Sequence, residues 1–131
     1  MEWVAMITAV AVLQCALFSV VVGRARVKYQ IRAPAVQGHE MFERCQRAHG
    51  NTVEQLVLFL PGLWLFGWYL EPRAAAALGL LFVVGRQLYF NAYLDQPRQR
   101  GRGFLLGFLA SIALLLGGLG GALAQLILNY R

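Results

Sequence analysis

Charge is scarce in this chain. Only 14% of its 131 residues are Asp, Glu, Lys or Arg, against 59% that are hydrophobic. Four long stretches hold one charge or none. Trp3 to Val22 and Phe104 to Leu128 contain no charged residue, Thr52 to Leu70 only Glu54, and Ala74 to Leu94 only Arg86. A helix needs roughly 20 predominantly apolar residues to cross a bilayer, so each stretch qualifies as a span. Too little chain lies between them for a water-soluble domain, and residues 1–131 read as a single domain of four transmembrane helices. Cysteine is sparse as well. Cys15 lies within the first span and Cys45 near the cytoplasmic end of the second, which argues against a structural disulfide. No Cys or His spacing resembles a metal site.

The first span reads as a retained helix rather than a secretory signal. Met1-Glu2 is acidic where a signal is basic, the apolar run exceeds an h-region, and no small-residue cleavage site follows. The net charge of +6 follows topology rather than a nucleic-acid surface. Of twelve Lys and Arg, six lie between spans one and two (Arg24, Arg26, Lys28, Arg32, Arg44, Arg47) and three between spans three and four (Arg98, Arg100, Arg102). The second loop has Arg73 and the tail Arg131. The positive-inside rule then places loops one and three in the cytoplasm. No basic helix with base-reading side chains is visible, which argues against nucleic acid as a partner. Pro34 breaks loop one, and Pro61-Gly62 falls inside span two, where proline frees a carbonyl and bends a helix. Span two begins before the membrane, around His39 or Glu40.

Arg47, Asn51 and Glu54 recur at i, i+4, i+7 and share one helical face. Arg86, Tyr89 and Tyr93 recur at i, i+3, i+7 on span three. Ionisable groups inside a membrane are costly and mark function by default. Topology brings both sets to the same membrane face, beside the arginines of loops one and three. A cationic site with one carboxylate and several phenols suits a small ligand carrying carboxylates, an amine and amides, and glutathione fits that description. Arginine binds carboxylate bidentately. The same field lowers a ligand thiol's pKa from about 8.5, and the thiolate is the nucleophile.

On these residues the chain resembles the MAPEG family, the membrane-associated proteins in eicosanoid and glutathione metabolism. The pattern Glu43-Arg44-x-x-Arg47-Ala48-x-x-Asn51-x-x-Glu54 is similar to the family's span-two signature. Gly85-Arg86-Gln87-Leu88-Tyr89-Phe90-Asn91-Ala92-Tyr93 and Arg100-Gly101-Arg102-Gly103-Phe104 are similar to its span-three motif and the loop beyond. The resemblance implies an all-α integral membrane four-helix bundle, left-handed and up-down, assembled as a homotrimer with glutathione bound between subunits on the cytosolic side. It implies that Arg47, Asn51, Glu54 and Tyr89 hold glutathione with Arg86 and Tyr93 close by, and that Arg100 activates the thiol. Arg26, or Arg24, matches a first-loop arginine that touches the tripeptide. Gln55 stands where the leukotriene-forming branch has tyrosine, and His49 where it has glutamine. These departures argue against the leukotriene substrate and leave general glutathione chemistry.

The expected function is therefore a membrane glutathione S-transferase, with peroxidase activity as a second use of the same thiolate. Its other substrate would be a lipophilic electrophile or lipid hydroperoxide arriving from membrane lipids. Two rivals stand beside it: a non-catalytic lipid-binding scaffold, and a small transporter or assembly subunit built on an Arg86–Glu54 ion pair. Glu54 also has a purely structural reading, as the counter-ion of Arg86 or Arg47.

Overall fold

The computed structural model describes residues 1–130. They form four long helices: α1 (Glu2–Lys28), α2 (Glu40–Tyr69), α3 (Pro72–Asp95) and α4 (Arg100–Asn129), with one 3-10 turn, Pro97–Gln99, leading into α4. No strand occurs among the described residues. Arg131, counted above as the tail cation, lies outside them.

Local chemistry accounts for the helix starts. His39 is extended and its Nδ1 accepts from the Met41 backbone N–H at 3.1 Å, capping α2 where the sequence placed the start. The His39 ring stacks on Tyr29 at 3.8 Å, which ties the cap to the end of α1. Glu71 caps α3, accepting from the N–H groups of Arg73 and Ala74 at 3.0 and 2.6 Å. Pro72 follows at the first helical position, where its missing N–H costs nothing. These hydrogen bonds hold the Glu71 carboxyl below the usual carboxylate range.

Among the described residues three segments are long and apolar enough to cross a membrane: α1, α3, and α4 with its leading turn. The helix α2 is not, although a span from Thr52 to Leu70 was expected. It has the length, 30 residues, or about 45 Å at 1.5 Å per residue. Its first half, however, carries Glu40, Glu43, Arg44, Arg47, His49, Asn51 and Glu54. One continuous helix joins a polar half to an apolar half and runs on through Pro61.

Contacts fix the helix directions. Thr8 of α1 accepts from Trp64 of α2 near one end, and Phe18 and Ala48 share a cluster near the other. Asn51 meets Tyr89, and Phe59 meets Phe82. Gly85 lies against Gly107, and Tyr89 against Gly103. Consecutive helices are thus antiparallel, which gives an up-down bundle. α1 packs on α2 and α3. The bundle's outer surface is apolar: Val57 and Trp68 are each 71% exposed, and Leu13, Leu17, Leu109 and Leu116 also face outward. Water does not tolerate so continuous an apolar surface, whereas hydrocarbon does. The protein is an integral membrane protein.

In hydrocarbon no hydrophobic force drives helices together, so close packing must do so. The central layer stacks Phe59 on Phe82 at 3.8 Å, with Val4, Leu63 and Leu114 fully buried around it. Towards the arginine-rich end Phe18 stacks on Phe90 at 3.9 Å. There α3 and α4 approach backbone to backbone. A methyl at Gly85 would lie 2.8 Å from the Gly107 nitrogen, and one at Gly103 would lie 2.6 Å from the Gly85 carbonyl oxygen. No side chain fits at either position.

Two outcomes follow. Replacing Gly103 with valine forces α3 and α4 apart and should cost about 1–3 kcal/mol. Gly101→Ala, in open space one turn-edge away, should leave the thermal unfolding temperature in detergent unchanged or slightly raised. The Glu71 cap acts through a depressed carboxyl, so its stabilisation is complete above the unfolded-state pKa. It is lost as pH falls through the folded-state value. Acid titration of the unfolding temperature should therefore show a smaller decline in Glu71→Gln than in the parent protein.

Candidate functional site

The polar residues of α2 and α3 meet at the arginine-rich end of the bundle. Arg86 is 1% exposed, the largest fully buried side chain among the described residues. No carboxylate lies within ion-pair distance of it among the described residues. A buried, uncompensated guanidinium is expensive, and two groups meet the cost. The Thr52 hydroxyl accepts from Arg86 Nη2 at 2.9 Å and, at longer range, from Nε at 3.3 Å. The Tyr89 ring lies 4.0 Å from the guanidinium carbon, a cation–π contact in a dry setting.

From Arg86 a ladder of rings and cations runs outward. Tyr89, 5% exposed, tilts against Tyr93 at 5.6 Å between centroids. Tyr93 in turn lies 5.4 Å below the Arg100 guanidinium. The Tyr89 hydroxyl accepts from Asn51 Nδ2 at 2.7 Å, joining α2 to α3 beside the Thr52–Arg86 contact. Arg100 is exposed and its Nη1 donates to the Pro97 carbonyl at 2.8 Å. It opens α4, whose first turn has no acidic residue. A helix N-terminus already carries partial positive charge, so Arg100 and Arg102 deepen a positive potential where an anion binds well.

The structure brings Asn51, Arg86, Tyr89, Tyr93 and Arg100 into one contiguous set. Arg47 joins it indirectly. It is exposed and shares with Tyr93 a groove of about 310 Å³ lined also by Glu40, Glu43, Arg44 and Pro97. Arg44 in that groove is occupied: it pairs with Glu40 and donates to the Leu94 carbonyl at 3.1 Å, pinning α2 to the end of α3. Arg47 has no such partner among the described residues.

Glu54 and Arg26 stand apart from the set. Glu54 is exposed on the outer face of α2 and pairs with neither Arg86 nor Arg47. Its structural reading as their counter-ion is thereby corrected: Thr52, on the adjacent face of α2, reaches Arg86 instead. Arg26 lies over the Phe42 ring at 4.8 Å and donates to the Ala35 carbonyl at 2.6 Å. It lines a concavity of about 630 Å³ with Val27, Gln30, Ile31 and Arg32. None of the α2–α3 residues lines that concavity.

Thr52 is the site residue that sequence reasoning passed over. Its hydroxyl proton goes to the Ala48 carbonyl at 2.9 Å, the ordinary helical habit of threonine, and this gives no outward sign in the sequence. The available signal was indirect: Arg86 in an apolar span requires an acceptor, and Thr52 flanks the motif.

A membrane four-helix bundle with a dry arginine–tyrosine junction leading to a cationic rim defines the class of protein. The chain belongs to the MAPEG family, whose model matches residues 4–120. It is 47% identical over 124 residues to an uncharacterized protein, sll1147, of Synechocystis sp., covering 95% of this chain and 90% of that one. Human microsomal glutathione S-transferase 2 is 43% identical over 104 residues, 78% of this chain and 71% of the relative. Bovine leukotriene C4 synthase is 38% identical over 96 residues, 73% of this chain and 64% of the relative.

Tyr89→Phe removes the acceptor for Asn51 Nδ2 and leaves the ring stack in place. Thermal unfolding in detergent should report a loss of about 0.5–1.5 kcal/mol, with helix content by circular dichroism unchanged.

Proposed function

We propose that this protein is a membrane-bound glutathione S-transferase, with glutathione-dependent peroxidase activity open to the same thiolate. The observation that carries the reading is the continuous run Arg86–Tyr89–Tyr93–Arg100, cross-linked to α2 through Asn51 and opening beside the Arg47 groove. Its relatives named as a glutathione transferase and a leukotriene C4 synthase support it.

In this reading glutathione is the co-substrate. Arg47 takes a carboxylate of the tripeptide, and Asn51 and Tyr89 take its amides. Arg86 supports Tyr89 from beneath, and Tyr93 forms the wall below the sulfur. Arg100, at the positive end of α4, holds the sulfur as thiolate. The thiolate attacks an electrophilic carbon of a lipophilic substrate. A carbon–sulfur bond forms as the carbon–leaving-group bond breaks, the leaving group departs with that electron pair as an anion, and the proton shed earlier by the thiol is in solvent. With a lipid hydroperoxide, the thiolate attacks oxygen and the O–O bond breaks to give alcohol and sulfenic acid. A second glutathione thiol reduces the sulfenic acid to disulfide and water.

The protein works as a homotrimer of four-span subunits, each formed by residues 1–131. Glu54, unpaired on the outer face of α2, meets the ligand ammonium from a neighbouring subunit, and Arg26 approaches the tripeptide across the same boundary. The site faces the cytoplasm, where the positive-inside rule puts the arginine-rich loops.

Arg100→Ala should retain glutathione binding by calorimetry, lose the ultraviolet thiolate band, and lose turnover by about 10²-fold or more, the scale of a removed electrostatic stabiliser. Unchanged turnover would reject the role of Arg100. Absence of binding heat in the parent protein would reject the enzyme and leave a lipid-binding scaffold.

A further inference from the structure

We propose that Thr52 is a positioning residue for this site, acting through Arg86 and Tyr89; the inference rests on the glutathione reading above. The geometry assigns its hydroxyl a single orientation. The proton is given to the Ala48 carbonyl at 2.9 Å, so only oxygen lone pairs face α3. Both Arg86 Nε and Nη2 point at that one oxygen, at 3.3 and 2.9 Å. The Tyr89 side chain is the other polar group beside Arg86, no ion-pair partner lies within reach of it among the described residues, and Thr52 itself is 1% exposed. One buried oxygen therefore holds a long, flexible cation whose rotamer freedom is otherwise large.

The consequence reaches the ligand face through Tyr89. The guanidinium sits 4.0 Å from the ring and so withdraws electron density from the phenol. The phenol oxygen already accepts from Asn51 Nδ2 at 2.7 Å, which leaves its own proton to donate. A cation held under the ring makes that proton a stronger donor to an anionic or carbonyl group of the tripeptide. Without an acceptor at position 52, the guanidinium swings towards the wet end of the bundle. Tyr89 then loses its support and its polarisation together. Arg100 is fixed separately, by the Pro97 carbonyl, so the thiolate is not directly disturbed.

Threonine is isosteric with valine, which keeps the packing and removes the acceptor, while serine keeps the acceptor. The test uses the full chain in detergent, with reduced glutathione by calorimetry and 1-chloro-2,4-dinitrobenzene as the probe electrophile. Thr52→Val should raise the glutathione Kd and KM about tenfold, the effect of losing a hydrogen bond to a charged group, with kcat within about twofold. Thr52→Ser should restore Kd and KM to within about threefold of the parent. Parent-like affinity in Thr52→Val, a serine variant as weak as valine, or an equal fall in kcat and kcat/KM would each overturn the assignment. A parent protein that binds no glutathione overturns the enzyme reading instead. In that event Thr52→Val, Arg86→Met and their double variant, compared by thermal unfolding, decide the contact itself: additive effects sink it and non-additive effects sustain it.

Discussion

A guanidinium buried in a membrane bundle without a counter-ion constrains everything around it. Arg86 cannot shed its proton and cannot reach water without leaving its place between α2 and α3. The fold answers with a hydroxyl from α2 and an aromatic face from α3's next turn. Because the hydroxyl comes from Thr52, the rotation of α2 about its axis is fixed. Asn51, the adjacent residue, is then delivered to the Tyr89 hydroxyl. The two cross-links are one device: the register that satisfies Arg86 also assembles the face that Asn51 and Tyr89 present.

From that dry anchor the polarity rises in steps towards the arginine-rich end. Arg86 is sealed, Tyr89 nearly so, Tyr93 half-buried and Arg100 open. The gradient suits a reaction at the boundary between lipid and water. Charge held deep gives a strong, fixed field, since low dielectric magnifies it. Charge at the rim stays hydrated and free to meet an anion. Arg100 opens a helix that carries no acid in its first turn, an arrangement that costs α4 some stability and strengthens an anion's attraction to the same spot.

Small residues make this possible. Tyr89 reaches its position only because Gly103 of α4 leaves room against its backbone, and Gly85 does the same one turn earlier. In hydrocarbon such close approaches are what hold helices together. The stability of the α3–α4 pair and the placement of the candidate site therefore rest on the same few missing side chains.

The four helices were legible as composition: long apolar blocks, with a histidine where α2 starts; α3 begins earlier than its apolar block, at Pro72 under the Glu71 cap, in what read as a loop. The α3 face was legible too, because Arg86, Tyr89 and Tyr93 repeat at helical spacing, and the ladder they form lies within one helix. The partners across helices were not. Arg86 took Thr52 rather than Glu54, and Arg26 took a loop carbonyl. Gln14 crossed from α1 to the Val83 carbonyl at 2.9 Å. Periodicity says which residues share a face, but not how far two helices slide or turn against each other. By itself the sequence determined the four helices, the start of α2 and the end of the bundle where basic residues gather, since each depends on near neighbours in the chain. Only the tertiary structure decided which oxygen meets the buried cation, because that depends on glycine contacts and stacked phenylalanines that join residues from distant parts of the chain.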